Sequence, residues 1–86
     1  MEVEESKLSL SMEKNFKDII AGAFQYASDK YESKYIVERL REMYGTEQYN
    51  FCCVVGSSFN SYYSYFSNVY FRCKYKGKYI NIWSGK

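Results

Sequence analysis

The sequence has no histidine and no proline, and only three cysteines and one tryptophan in 86 residues. Without histidine, Ser-His and Cys-His nucleophile systems cannot be assembled. The usual structural zinc sites need four cysteines or a mixture of cysteine and histidine, so they are excluded as well. An odd number of cysteines, two of them adjacent in an apolar run, argues against a disulfide framework. Glycine-rich phosphate-binding fingerprints are missing. Asp18, Asp29, Glu32 and Glu47 show neither calcium-loop nor paired-carboxylate spacing. No apolar run approaches the roughly 18–20 residues that span a bilayer. The acidic start, Met1-Glu2-Val3-Glu4-Glu5, is unlike the basic n-region of a signal peptide. The expectation is a soluble, intracellular, non-catalytic chain with no cofactor and no small-molecule substrate.

The charge that is present is small and unevenly spread. The formal net charge is +2. Residues 1–44 carry nine acids and seven bases, whereas residues 45–86 carry one acid, Glu47, and five bases. The second half also holds twelve of the eighteen aromatic residues. Helices are therefore expected first and strands second. A chain of this length forms one domain and buries only about 60–65% of its unfolded surface, a marginal core. With disulfides and zinc set aside, a second subunit is the expected stabiliser.

The periodicity fills in this outline. Residues 1–6 read as a flexible polar tail, leaving 7–86 as the domain. Leu8, Leu10 and Met12 alternate with serines, which predicts a short strand. Phe16, Ile19, Ile20, Ala23, Phe24 and Ala27 recur at helical spacing and predict a helix over about 13–28. Ser33 is the expected N-cap of a second helix, striped by Ile36, Val37, Leu40 and Tyr44 and closed by Gly45. Phe51–Val55 is a continuous apolar run, expected to be buried on both faces. Strands follow over Phe59–Phe66, Val69–Tyr75 and Lys78–Trp83, with Lys76-Gly77 as a hairpin turn. The order β-α-α-β-β-β-β defines an α+β fold with a mainly antiparallel sheet and helices on one face.

The most informative stretch is Phe51-Cys52-Cys53-Val54-Val55-Gly56-Ser57-Ser58-Phe59-Asn60-Ser61-Tyr62. Its second run carries hydroxyls and aromatic rings but no ionisable catalytic group, the composition of a strand that binds along its edge. Cys53-Val54-Val55-Gly56 and Phe59-Asn60-Ser61-Tyr62 resemble the Cys-Ile-Val-Gly and Phe-Gly-Ser-Tyr motifs of the dynein light chains of the eight-kilodalton type. Ile36–Tyr44 is similar to the second helix of that family, and the pattern runs without a gap from Phe51 to Lys86.

The resemblance implies a two-fold homodimer in which the strand Phe59–Tyr65 crosses to the partner sheet. Cys52, Val54, Phe59, Ser61, Tyr62, Tyr63 and Ser64 would form the dimer interface. It also implies grooves that hold short disordered client segments, such as those of dynein intermediate chain, by strand addition. Ser33, Lys34, Phe59, Asn60, Ser61, Tyr62, Tyr63, Ser64, Tyr65, Arg72 and Lys74 would line them. A cytoplasmic, cytoskeleton-associated light chain of the dynein motor is the implied setting. Asn60 replaces a family glycine. Tyr65 and Cys52 replace histidines, and without the one at Cys52 the family's pH response should be missing. Arg72 and Lys74 replace tyrosines and would favour acidic clients.

Simpler readings stand beside these. Cys52 and Cys53 point to opposite faces of a strand and need be no more than small hydrophobes. Arg72, Lys74 and Lys76, interleaved with Tyr70, Phe71 and Tyr75, could form a single-stranded nucleic-acid-binding module over residues 70–78. The simpler reading, favoured by the low net charge, is a solvated face that discourages aggregation.

Overall fold

Local chemistry sets the first helix earlier in the chain than its apolar stripe suggests. In the computed structural model, which describes residues 1–57 and 68–85, α1 runs from Leu10 to Tyr26. Ser9, extended at φ −65° and ψ 161°, caps it, and its Oγ accepts from the Met12 N–H at 3.3 Å. Glu13 in the first turn suits the positive end of the helix and pairs with Lys17 one turn on, Oε1 to Nζ 3.4 Å. The alternation Leu8-Ser9-Leu10-Ser11-Met12 is therefore not a strand. A serine cap and four turns of core contact outweigh a five-residue alternation, and Leu10 is left 87% exposed.

The strand expected there lies one segment upstream. Residues 2–6, read from their polarity as a tail, form β1 (Glu2–Ser6). Its glutamates face solvent while Val3 turns to the core.

The second helix, α2, spans Glu32–Tyr44. Ser33 lies inside its first turn and is not the N-cap. That position belongs to Tyr31, which gives no side-chain cap. The Glu32 carboxylate instead reaches Lys78, Oε2 to Nζ 3.0 Å, tying the helix start to the sheet. Gly45 closes the helix at φ +77° and returns its N–H to the Arg41 carbonyl, as a C-terminal glycine should.

Three further strands follow: β2 (Phe51–Gly56), β3 (Val69–Tyr75) and β4 (Lys78–Ser84). They join β1 in an antiparallel sheet of order β1-β3-β4-β2. The turn between β3 and β4 has Lys76 at φ +51° and Gly77 at φ +79°, the doubly left-handed geometry whose twist matches a two-residue hairpin. This agrees with the α+β architecture read from the sequence. The strand expected over Phe59–Phe66 lies outside the described residues.

Both helices cover one sheet face. Phe16, Ile20, Ile36 and Leu40 pack on Phe51, Phe71, Cys73, Ile80 and Ile82, all essentially without solvent exposure. Phe16 is the hinge of this core, edge-on to Phe51 and Phe71 at centroid separations of 6.1 and 5.9 Å. Burying one ring of this size contributes about 1.5–3 kcal/mol. The loop after α2 turns back immediately, because Tyr44, Tyr49 and Phe51 pack as a ring cluster with centroids 5.1–6.0 Å apart. That contact packs α2 against β2.

Candidate functional site

Strand alternation sorts the sheet residues into two faces. On the helix-covered face the cross-strand rows, read from β2 through β4 to β3, are Phe51-Ser84-Val69, Cys53-Ile82-Phe71 and Val55-Ile80-Cys73. On the opposite face they are Cys52-Trp83-Tyr70, Val54-Asn81-Arg72 and Gly56-Tyr79-Lys74. No described helix lies over this second face. It mixes apolar, aromatic, amide and cationic side chains.

Two of the predicted interface residues, Cys52 and Val54, are brought together on this face. Both belong to β2, which pairs only with β4 among the described residues and so ends the sheet. Val54 is 39% exposed, so β2 is not buried on both faces as its composition suggests. One face meets the helices and the other meets solvent. Among the described residues, β2 thus presents a β-branched apolar side chain at the end of the sheet.

The basic residues are more committed than the sequence implies. Arg72 Nε lies 3.0 Å from Glu4 Oε1. The contact is an ion pair without an aligned hydrogen bond, since Nε meets no partner in bonding geometry. Its guanidinium and the Lys74 ammonium both sit over the Tyr79 ring, 5.5 and 5.4 Å from the centroid. Lys78 is held by Asp29 and Glu32 at 3.2 and 3.0 Å. Burial alone would raise the Glu32 carboxyl, but hydrogen bonds from its own backbone N–H and from Lys78 outweigh it and hold its pKa below the usual value. The same bonds, to Glu32 and Asp29, raise Lys78. A strand whose cations are already paired or stacked on a neighbouring ring offers little to a phosphate backbone.

The predicted groove residues do not all converge within the described chain. Ser33, half-buried, and Lys34, exposed, sit in the first turn of α2, on the helix side of the sheet. Arg72 and Lys74 lie on the other face of β3, with β4 between them and β2. Phe59, Asn60, Ser61, Tyr62, Tyr63, Ser64 and Tyr65 lie outside the described residues.

The cysteines are packing groups. Cys53 and Cys73 face the helices, and burial pushes both thiols up, Cys73 to about 12. Neither forms a thiolate near neutrality. All three cysteines are free. Among the described residues no cluster of His, Cys, Asp or Glu could hold a metal ion. No helix there is long and apolar enough to cross a membrane.

Sequence reasoning missed two residues of this face. Glu4 neutralises Arg72, a pairing foreshadowed by an acidic start and a basic later strand. Asn81 lies at the middle of the outer face with no solvent exposure, and its Oδ1 and Nδ2 have no hydrogen-bond partner. An unmet buried amide costs about 1–3 kcal/mol. The signal was one polar residue set between Ile80 and Ile82.

A groove of about 410 Å³ runs between α1 and α2, lined by Asn15, Asp18, Ile19, Tyr35, Arg39, Glu42 and Met43. Several of its polar groups are already engaged: Arg39 pairs with Glu42 at 3.1 Å and stacks on Tyr35, and Asn15 donates to Tyr44 Oη at 2.9 Å.

Comparison with known proteins accords with this architecture. The solved dynein light chain-like domain of the Fasciola hepatica calcium binding protein FhCaBP2 superposes with a TM-score of 0.71. The match covers 95% of this chain and 87% of that one at 16% identity, so the likeness is one of fold. No curated protein matches the sequence. The family model for dynein light chain type 1 matches residues 1–85. A match along nearly its whole length shows that the chain belongs to the dynein light chain family.

Proposed function

We propose that the protein is a non-catalytic homodimeric hub that binds short, extended segments of client proteins by strand addition. The observation that carries this reading is the β2 edge. In a member of this adaptor-like family, an end strand exposes Val54 beside Cys52 on a sheet face without a helix cover. A small core gains from a second copy at such a surface, and a two-fold contact closes the assembly.

The segment Phe59–Tyr65 is the proposed crossing strand. With Cys52 and Val54, the residues Phe59, Ser61, Tyr62, Tyr63 and Ser64 form the proposed interface. A client strand would pair with backbone at Ser61–Tyr65, with Phe59 as an apolar wall and Asn60 re-aiming the groove. Ser33 and Lys34 at the start of α2 would meet a client polar side chain. Lys74 would add positive charge and so favour acidic segments, while Arg72 is already balanced by Glu4. A dimer brings two client chains together, and its two sites raise avidity through effective concentration. Cytoplasmic, cytoskeleton-associated work as a dynein light chain, with dynein intermediate chain among the clients, is the proposed setting.

Sedimentation combined with peptide titration tests this reading. A dimer at low micromolar concentration that takes up two extended peptides is expected, with acidic peptides weakened by added salt. A monomer, or a dimer indifferent to every unstructured peptide tried, would overturn it. A pull-down from the native cell, probed for dynein intermediate chain, tests the setting.

A further inference from the structure

The start of α2 is held from outside the helix. Four pieces of the chain meet there at one cation. Lys78 Nζ, on the first residue of β4, lies 3.0 Å from Glu32 Oε2 of α2 and 3.2 Å from Asp29 Oδ1 of the loop between the helices. It also sits 5.9 Å from the ring centroid of Phe24 on α1. Phe24 in turn meets Tyr75 of β3 edge-on at 5.3 Å. The two carboxylate contacts are unequal. The Asp29 side chain is 78% exposed, so water competes for it. The Glu32 side chain is 8% exposed, and a carboxylate so covered needs its cation. The helix start lacks the usual alternative, because its N-cap, Tyr31, gives no side-chain bond to the first turn. Lys30, just before it, stands at φ +73°, a conformation a lysine adopts only at a cost.

We propose that Lys78 is a positioning residue for client binding: by holding Glu32 to the sheet, it keeps the first turn of α2, and with it Ser33 and Lys34, where a client segment meets them. The inference rests on the hub reading above. Its mechanism is a competition between two places for one carboxylate. Glu32 is the first residue of α2, and Ser33 and Lys34 follow in the same turn. With Lys78 present, the carboxylate stays covered against the sheet. Without it, the carboxylate gains by turning out to water, and a first turn with no side-chain cap unwinds at little cost. The strain at Lys30 relaxes in the same motion. The turn that carries Ser33 and Lys34 is then in place for only part of the time, and apparent client affinity falls by that fraction. The core is spared, because Ile36 and Leu40, further along the helix, stay buried.

Full-length wild type, Lys78→Met, Glu32→Ala and Lys78→Arg separate this role from a direct one. Each is titrated with an unstructured acidic peptide and checked for dimer by sedimentation. Lys78→Met and Glu32→Ala are expected to weaken peptide binding about tenfold with dimerisation unchanged. Lys78→Arg, which restores the cation, should bind within about threefold of wild type. Amide hydrogen exchange should quicken at residues 32–35 in the two weak variants and stay as it was in the sheet. If Lys78 instead attracted the acidic peptide directly, Glu32→Ala would release the cation and tighten binding, which overturns the positioning role. Wild-type peptide affinity in either variant overturns it as well and leaves the hub reading standing. A wild-type chain that takes up none of a panel of unstructured peptides overturns both. Glu32→Ala decides alone should Lys78→Met fail to fold.

Discussion

The two faces of the sheet are made by the same three strands and differ in every physical respect. The helix-covered face is closed by Phe16, Ile20, Ile36 and Leu40, and its rows are almost wholly apolar. The opposite face sets a valine in the open, two cations over a tyrosine and an asparagine with no partner. The first is a finished interior. The second mixes the partly exposed Val54 with the buried Tyr70 and Asn81. The difference teaches that strand alternation divides labour: one register holds the protomer together, and in the hub proposed above the other would meet a partner.

Substitutions on each face should separate these roles. The largest effect is expected from Phe71→Ala on the closed face. The ring is fully buried against Phe16, and its loss should cost about 3–5 kcal/mol. Urea titration followed by circular dichroism should show the protomer unfolded or nearly so; a small shift in midpoint would mean that the core does not centre on this ring. Val54→Lys on the open face should do the converse. The helical signal should persist while dimer affinity falls roughly tenfold or more, read by sedimentation. Loss of fold instead would blur the division between faces.

Gly77→Ala, at φ +79° in the β3–β4 turn, disturbs neither face. It should cost about 1 kcal/mol through backbone strain, with dimerisation unchanged. The smallest effect concerns the Glu32–Lys78 link. The Glu32 pKa is depressed in the folded state, so its contribution is complete above the unfolded value and is lost as pH falls through the lower folded one. The window lies below the reference value of 4.5. Lys78→Met should flatten the acid limb of the stability profile there; an unaltered limb would assign it to other carboxylates. The gain is modest, because Lys78 is partly solvated.

Where core contact set the pattern, the sequence was easy to read. Phe16-x-x-Ile19-Ile20-x-x-Ala23 could bury itself only as a helix, and the Val69–Tyr75 strand and Lys76-Gly77 turn follow from local rules. Where a cap or a distant charge decided, it was not. Ser9 beside an alternating stretch could serve a strand or a helix, and the helix won because Phe16 and its neighbours needed four turns. Glu2–Ser6 looks like a tail because its partner, β3, lies some seventy residues away. Cys52 and Val54 could be placed on one face by alternation. The separation of Ser33 and Lys34 from Arg72 and Lys74 could not, because it depends on strand order.

The pairing of β1 with β3 has a consequence for growth. β1 is five residues long, carries three glutamates and is irregular between Val3 and Glu5. A short, charged, bulged strand is a poor template for another. It works as a chain terminator does in a polymer: it leaves the sheet no end to grow from on the β1 side. In the hub proposed above, a unit that can grow at one end alone would make pairs rather than fibres.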